Sequence, residues 1–291
     1  MPSTRPQSEP PSTPHETQAQ RLDNAYVLGH HGFLYTSHQL TRRTTHRHPA
    51  VLLLSADHAP FTITQAHGPP TSVSAALVPP RVERTLDCPG VPMLSFNVMP
   101  AHDSYYVFQA MQKAGVMKLD REVFRHLDMH FLRLLNGEAS IVEAERTFRQ
   151  AVTEARRLLP PAPAPDPRAL QLIRMLDADP QLGIAELARR VGYSQQVMSR
   201  LFTSAVGMSL RDYQNWLRQR RVYDTLYTPR SLTQVAHRAG FADSSQFTRA
   251  FQRWYGDTPS HLRAPRIVRV FIHGGDNQGH VTASPPGAGD T

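Results

Sequence analysis

The chain has 291 residues, a formal net charge of +8 at pH 7 and a pI near 10.0, so it is long enough for two domains with separate cores. A single cysteine, Cys88, excludes an intramolecular disulfide, and no apolar run reaches the roughly 18 residues of a membrane-spanning helix. The start has no apolar core of a signal peptide, so we expect a cytoplasmic protein without a membrane partner.

The first predicted segment is a disordered arm from Met1 to about Asp23, which is rich in Pro, Ser, Thr and Gln. A domain at 24–159 follows, and it begins with short strands separated by Pro- and Gly-containing turns. Strands at this spacing are typical of a small sandwich or barrel. The clearest runs are 51–54, 61–64, 72–78 and 93–98.

The second half of this domain is predicted to be helical over 104–116, 120–135 and 140–159. One helical face carries large apolar residues. It could pack under the sheet of its own domain or form the interface of a homodimer. The residues of this stripe are Phe124, Leu127, Phe131 and Leu135. A Pro-rich linker at 160–165 ends the domain.

The stretch 184–263 contains one pattern twice. Ala188 and Gly192 of the first copy recur as Ala236 and Gly240, each 48 positions later. The glycine lies where the chain leaves one helix, because glycine accepts the positive φ of a sharp turn. Each copy therefore predicts a helix-turn-helix, in which Ser194 and Asp243 cap the second helices.

The segment that connects the copies, Leu210–Leu226, has apolar residues at helical spacing. Such a helix is about 25 Å long and could hold two recognition helices roughly one DNA turn apart. Its other faces carry Arg211, Arg218, Arg220 and Arg221. Residues 166–263 hold 14 Arg against 8 Asp or Glu, a net of +6, which suits a surface that neutralises phosphates.

The residues Gly240 to Phe251, followed by Gly256 to Arg263, resemble the signature of AraC-type transcription regulators. The resemblance covers roughly the last third of the chain and implies a two-lobed helical domain at 166–263 that binds double-stranded DNA at promoters or operators. It further implies a regulator that works with RNA polymerase, often as a homodimer. We expect an activator, although the sequence leaves repression open. No cofactor is expected.

Carried onto this sequence, the resemblance places base contacts of the first lobe at Gln196, Ser199 and Arg200. Those of the second lobe are Ser244, Ser245 and Arg249. Arginine and glutamine read guanine and adenine well, whereas serine discriminates poorly, so we expect the second lobe to depend more on backbone contacts and DNA shape. For Arg249, the sequence supports a phosphate contact or a solvated helix face as well as it supports base reading.

The order of strands in 24–159 also resembles the cupin-like sensor barrel that precedes many AraC-type domains, which gives an α+β multidomain protein. His46 and His48 have the look of a cupin metal pair, but Arg84 stands where another histidine is usual, and a cation opposes metal binding. We therefore expect no metal. The three residues are instead candidates for binding a small-molecule effector, with Arg84 suited to a carboxylate.

After Arg263 we expect a tail at 264–291, in which the run 267–272 is strand-like and could add to a sheet edge. Two other functions stay open. A metal-dependent cupin enzyme with an appended DNA-binding domain would contain bound metal. A nonspecific DNA-packaging protein would bind all sequences about equally, whereas regulators typically prefer their sites by ~10³ or more.

Overall fold

The computed structural model describes residues 22–29, 31–38, 43–45, 48–66, 68–164, 166–179, 182–226, 230–255, 258–263 and 268–272. Its N-terminal part consists of two β-sheets and a group of helices. The strands are β1 (Asp23–Val27), β2 (Gly32–Ser37), β3 (Arg43–Thr45), β4 (Ala50–Ser55), β5 (Phe61–Gln65), β6 (Thr71–Val73), β7 (Ala75–Val78), β8 (Arg84–Asp87), β9 (Met93–Val98), β10 (Met117–Lys118) and β11 (Val268–Ile272).

The larger sheet has the order β10-β7-β4-β9-β2-β1-β11, and the smaller one has the order β3-β8-β5-β6. The two sheets pack together through an apolar cluster to which Val51, Leu53, Phe61 and Ile63 contribute. Alternating side chains of a strand point to opposite faces, so β4 also supplies Leu52 and Leu54 to the other side of the sheet. Three of the four predicted strand runs are confirmed. The run at 72–78 is wrong as a single strand, because it divides at Ser74 into β6 and β7, which belong to different sheets.

Helices cover that other face of the larger sheet. They are α1 (Tyr105–Ala110), α2 (Asp128–Asn136) and α3 (Ile141–Arg157), with 3-10 turns at Gln112–Ala114 and Arg121–Leu127. Two of the three predicted helices are therefore partly 3-10. Ser140 and Glu143 form a reciprocal capping box that begins α3.

The apolar stripe offered as a dimer interface is part of this core. Phe124, Leu127, Phe131 and Leu135 are at most 3% exposed, and Phe131 packs edge-to-face on Phe96 of the sheet. The dimer prediction for these residues is wrong, because the face they share is covered by their own domain.

The C-terminal part of the chain is helical. Its elements are α4 (Pro167–Ala178), α5 (Ile184–Val191), α6 (Gln195–Val206), α7 (Leu210–Leu226), α8 (Leu232–Arg238), α9 (Ser244–Tyr255) and α10 (Pro259–Leu262). We call α4 to α6 the first lobe and α8 to α10 the second lobe. Residues 160–164 between the two parts have neither helix nor strand, in agreement with a linker.

The last strand returns to the N-terminal sheet. β11 pairs with β1 over five residues, and this pairing is parallel while the others described are antiparallel. The expectation that the run at 267–272 adds to a sheet edge is confirmed for Val268–Ile272. The division into an arm and a separate tail needs correction, since Asp23 already belongs to β1 and the tail supplies a strand. Residues 1–21, Ile267 and 273–291 lie outside the described residues.

The mixed α+β fold, with a β-sheet domain followed by a helical domain, is confirmed. Within the ranges described above, no helix combines the length and the apolar character needed to cross a bilayer.

Candidate nucleic-acid interface

The two copies of the repeated pattern adopt the same turn. Gly192 ends α5 with a φ of +71°, and Gly240 follows α8 with a φ of +83°. Both values lie in the left-handed region, which glycine enters without a Cβ clash. The residue after each glycine closes the turn with its peptide N–H. These bonds join Tyr193 N to Ala188 O at 3.0 Å and Phe241 N to Ala236 O at 2.9 Å.

Each second helix is then capped by the residue that the sequence predicted. The hydroxyl of Ser194 accepts a hydrogen bond from the Val197 N–H at 3.3 Å, and the carboxylate of Asp243 accepts one from the Gln246 N–H at 2.7 Å. In the second copy the Gln246 side chain also accepts from the Ala242 N–H at 3.1 Å. These caps satisfy peptide groups that a helix start leaves open. Both turns therefore lead into well-formed candidate recognition helices, α6 and α9.

The first recognition helix has one apolar face and one open polar face. Met198, Phe202 and Val206 are buried in the core of the first lobe. The predicted base-reading residues lie on the other side, with Gln196 and Arg200 exposed and Ser199 half-buried. In the part of the chain that the structure describes, the Arg200 guanidinium has no hydrogen-bond or ion-pair partner. It is therefore free to bind a ligand.

The second recognition helix is arranged in the same way. Phe247 and Phe251 are fully buried, while Ser245 and Arg249 are exposed and Ser244 is half-buried. Arg249 also has no ion pair among the described residues. The two sets of predicted base-reading side chains thus occupy matching open faces, but only the first set contains a glutamine.

Helix α7 joins the cores of the two lobes. Its first half supplies Tyr213 and Trp216 to the apolar cluster that includes the first lobe. Its second half supplies Val222 and Leu226 to the cluster that includes the second lobe. At ~1.5 Å per residue, these 17 residues span about 25 Å. This helix can therefore act as the predicted spacer between two recognition helices.

Several arginines of the basic surface have partners within the protein. Arg189 and Arg190 both bind Glu186 on α5, and the hydrogen bonds from Arg189 and then Arg190 lower the pKa of Glu186 to about 2. Arg220 binds Asp177 at 3.0 Å and lies over the Trp216 ring. Counting charges overestimates the cations available to DNA. The i,i+3 and i,i+4 spacing from Glu186 was a signal for the first pair, whereas nothing local indicated Asp177 for Arg220. The side chain of Arg218 lies outside the described residues.

The structure describes two of the three predicted effector residues, His48 and Arg84. His46 lies outside the described residues. Arg84 is 4% exposed on β8 and donates to the Thr45 carbonyl at 3.4 Å. The carbonyl of His48 accepts a hydrogen bond from the Tyr105 hydroxyl at 3.2 Å. Arg84 shares its strand face with Leu86, which packs on the cluster between the sheets. Over the described ranges, no three His, Cys, Asp or Glu side chains are grouped as metal ligands would be.

Comparisons with known proteins agree with this geometry. A family model described as a helix-turn-helix domain matches residues 187–265. The chain is 32% identical over 113 residues to the HTH-type transcriptional regulator RipA of Corynebacterium diphtheriae, covering 38% of this chain and 34% of that protein. It is 26% identical over 83 residues to the Msm operon regulatory protein of Streptococcus mutans, covering 28% and 30%. The chain thus spans about a third of the length of these curated relatives.

The whole architecture is similar to that of a solved protein. ToxT from Vibrio cholerae O395 superposes with a TM-score of 0.51 at 12% identity, covering 79% of this chain and 95% of that one. A second structure of ToxT, from strain SCE256 with an unsaturated fatty acid bound, superposes with a TM-score of 0.51 at 10% identity, covering 83% and 94%. At these identities the similarity establishes the fold alone.

Proposed function

We propose that this chain is a sequence-specific DNA-binding regulator of transcription of the AraC type. The match of residues 187–265 to a helix-turn-helix family model supports the proposal. The chain binds double-stranded DNA at promoters or operators, with α6 and α9 in successive major-groove segments. The regulators of Corynebacterium and Streptococcus named above share this domain, which supports the proposal.

The observation that carries the proposal is the duplicated turn. Both copies place a capped helix so that one face is buried and the other carries polar side chains without partners among the described residues. A helical hairpin that served packing alone would not need two such open faces joined by a helix of fixed length. Two linked reading helices let one polypeptide bind an asymmetric site.

We assign the base contacts of the first lobe to Gln196, Ser199 and Arg200. The DNA contacts of the second lobe are assigned to Ser244, Ser245 and Arg249, of which Arg249 binds a phosphate. The support is chemical, because guanidinium and amide groups on an exposed helix face can form bidentate hydrogen bonds with guanine and adenine.

The experiment is selection of bound duplexes from a random DNA pool, followed by footprinting. We expect an enriched site with two protected segments on one side of the duplex, about one helical turn apart. A single protected segment, or no enriched sequence, would contradict the proposal. Full-length protein with Gln196→Ala and Arg200→Ala together is the test variant. Arg146→Ala, which removes an exposed charge on α3, is the matched control.

The N-terminal domain, in this proposal, is a sensor at 24–159 to which β11 is added. The ligand-bound ToxT has the same overall fold, which supports control by a small acid. Arg84 and His48, with His46, are the proposed effector contacts. Titrating carboxylic acids against wild type and Arg84→Ala tests them, and unchanged affinity would remove Arg84 from the site.

We further propose that the protein is cytoplasmic, forms a homodimer and activates transcription by RNA polymerase. An apolar surface suited to a dimer remains on the outside of α2 and α3, where Met129, Leu132 and Val142 are 70%, 42% and 56% exposed. Leu132→Glu should convert a dimer to a monomer in light scattering. Transcription from the selected site with purified polymerase tests activation.

A further inference from the structure

The first recognition helix carries an exposed apolar side chain next to its polar reading residues. Val197 is the third residue of α6 and is 39% exposed. Among the large apolar side chains that the structure describes as exposed, it is the one that lies on a recognition helix. Valine is a poorer helix former than the glutamine before it, so helix formation gives no reason for a valine at this position.

The helix geometry places Val197 at the end of α6 that reads DNA in the proposed function. The N-terminal residues of a recognition helix contact the base edges. Val197 belongs to this first turn, because its N–H donates to the capping hydroxyl of Ser194 at 3.3 Å. It follows Gln196 directly and lies three residues before Arg200, a spacing that makes two side chains neighbours on the helix surface. All three side chains are exposed.

The chemistry of valine selects one group in the major groove. Base edges present hydrogen-bond donors and acceptors there, and the C5 methyl of thymine is the apolar exception. A valine side chain has no donor or acceptor, so it cannot compensate a polar edge that it covers. Against a methyl group it gains by removing apolar surface from water. Its χ1 angle is nearly fixed in a helix, so the contact costs little rotamer freedom.

The second recognition helix does not repeat this feature. Val197 lies five residues before the buried Phe202, and Gln246 lies five residues before the buried Phe251. Gln246 is therefore the counterpart of Val197 in α9. Its side-chain oxygen accepts a hydrogen bond from the Ala242 N–H at 3.1 Å, so it serves the start of the helix. An apolar contact to DNA at this position belongs to the first lobe alone.

We infer that Val197 is a further specificity residue, which packs its methyl groups on the C5 methyl of a thymine in the segment bound by the first lobe. It adds thymine to the guanine and adenine that suit Arg200 and Gln196. The inference rests on the proposed function, since it requires the major groove to lie along α6. A cytosine methylated at C5 presents the same apolar group, so Val197 favours 5-methylcytosine over cytosine at that base.

The test uses the duplex selected by the full-length protein. Each thymine of the first-lobe segment is replaced in turn by deoxyuridine, which pairs with adenine as thymine does and lacks only the methyl group. We expect one replacement to weaken binding of the wild type about fourfold, the effect of burying one methyl group. Val197→Ser, which removes both valine methyl groups, should respond to the same replacement by less than about 1.5-fold.

The matched control removes a methyl group elsewhere on the same helix. Thr203 is exposed in the C-terminal half of α6, and Thr203→Ser should keep the fourfold loss caused by deoxyuridine. Replacements in the segment bound by the second lobe should affect the wild type and Val197→Ser equally. An unchanged melting temperature of Val197→Ser shows that the variant is folded.

A second measurement adds the methyl group instead of removing it. The sensitive thymine is exchanged for cytosine or 5-methylcytosine, each paired with guanine. The wild type should bind the methylated duplex about fourfold more tightly than the unmethylated one, and Val197→Ser should bind the two equally. A loss on deoxyuridine that persists undiminished in Val197→Ser would overturn the inference. A first-lobe segment without thymine, or one in which every replacement is harmless to the wild type, would overturn it as well.

Failure of this inference is distinguishable from failure of the proposed function. If selection yields no enriched sequence, the regulator itself is contradicted. If it yields a site with two protected segments whose affinity does not depend on thymine methyl groups, the regulator stands and the role of Val197 is removed alone.

Discussion

The two lobes share a sequence pattern and a turn, yet the N-terminal domain holds them in different ways. The first lobe packs on α1 through apolar side chains and leaves a cavity of about 590 Å³ beside α4 and α6. The second lobe packs on the sheet itself, where Val235, Phe247 and Phe251 join Ala25 and Val27 of β1. The two copies of the helix-turn-helix module therefore pack on different parts of the N-terminal domain.

The added strand explains the difference. β11 follows the second lobe in the chain and pairs with β1, so the C-terminal end of the second lobe is tied to the N-terminal sheet. Phe271 stacks on Tyr26 with ring centroids 4.3 Å apart, and Arg269 donates to the carbonyls of Asn136 and Gly137. Within the described ranges the first lobe has no such strand, so we expect it to be the more easily displaced of the two.

The largest expected effect comes from removing the anchor of β11. Phe271→Ala deletes a ring that is 6% exposed and stacked on Tyr26, so the free energy of unfolding should fall by about 3 kcal/mol. Hydrogen exchange should increase in β1 and in α8 and α9, but not in α5 and α6. Arg146→Ala on the exposed side of α3 is the control and should cost less than about 0.5 kcal/mol. An equal increase of hydrogen exchange in both lobes would contradict the conclusion that β11 anchors the second lobe only.

DNA binding should distinguish the lobes next. Arg200→Ala should weaken binding to the selected site by about 1–3 kcal/mol and relax the preference at one base pair. Arg249 lies in a helix whose other predicted contacts are serines. Arg249→Ala should therefore weaken binding to all DNA sequences alike and lower the slope of log affinity against log salt concentration by about 1. Titrations of matched and altered duplexes at several salt concentrations measure both. A base preference lost in Arg249→Ala would show that the second lobe reads sequence as the first does.

The lobes also show what can be predicted from sequence. The turns at Gly192 and Gly240 and the caps at Ser194 and Asp243 depend on neighbours within a few residues, and all four were found. The amphipathic spacing of Phe124, Leu127, Phe131 and Leu135 was found as well. The partner of this face stayed open between the domain's own sheet and a second copy of the chain, because a helical period indicates that a face is covered and not what covers it.

The remaining errors are also long-range. Strand character at Val268–Ile272 is visible in its β-branched and apolar residues, but its pairing with β1 joins positions about 245 residues apart, from Asp23 to Val268. The cavity beside α4 and α6 arises only where two domains meet, and no spacing along the chain indicates such a place. Local chemistry was predictable, whereas the docking of distant segments was not.

A smaller effect is expected from the duplicated turn. Gly192→Ala places a Cβ at a φ of +71° with no atom within 4 Å of it, so its cost is conformational and should be about 1 kcal/mol. Gly240→Ala, at +83°, should cost a similar amount. Asn tolerates this region better than Ala, so Gly192→Asn should recover part of the loss in chemical denaturation. If Asn destabilises as much as Ala, the cost is not one of backbone conformation.

The smallest effect concerns the polar contact that holds the first lobe. Arg81 Nη1 donates to the carbonyl of Gly207, at the end of α6, over 3.0 Å in an exposed position. Arg81→Ala removes one exposed hydrogen bond and should lower the stability of the docked first lobe by about 0.5–1 kcal/mol. Because this contact opposes displacement of the first lobe only, hydrogen exchange should increase in α6 and stay constant in α9. Arg125→Ala, which breaks an exposed ion pair with Glu122 within the N-terminal domain, is the control. An increase in α9 equal to that in α6 would mean that the lobes move together, and that the anchor formed by β11 does not distinguish them.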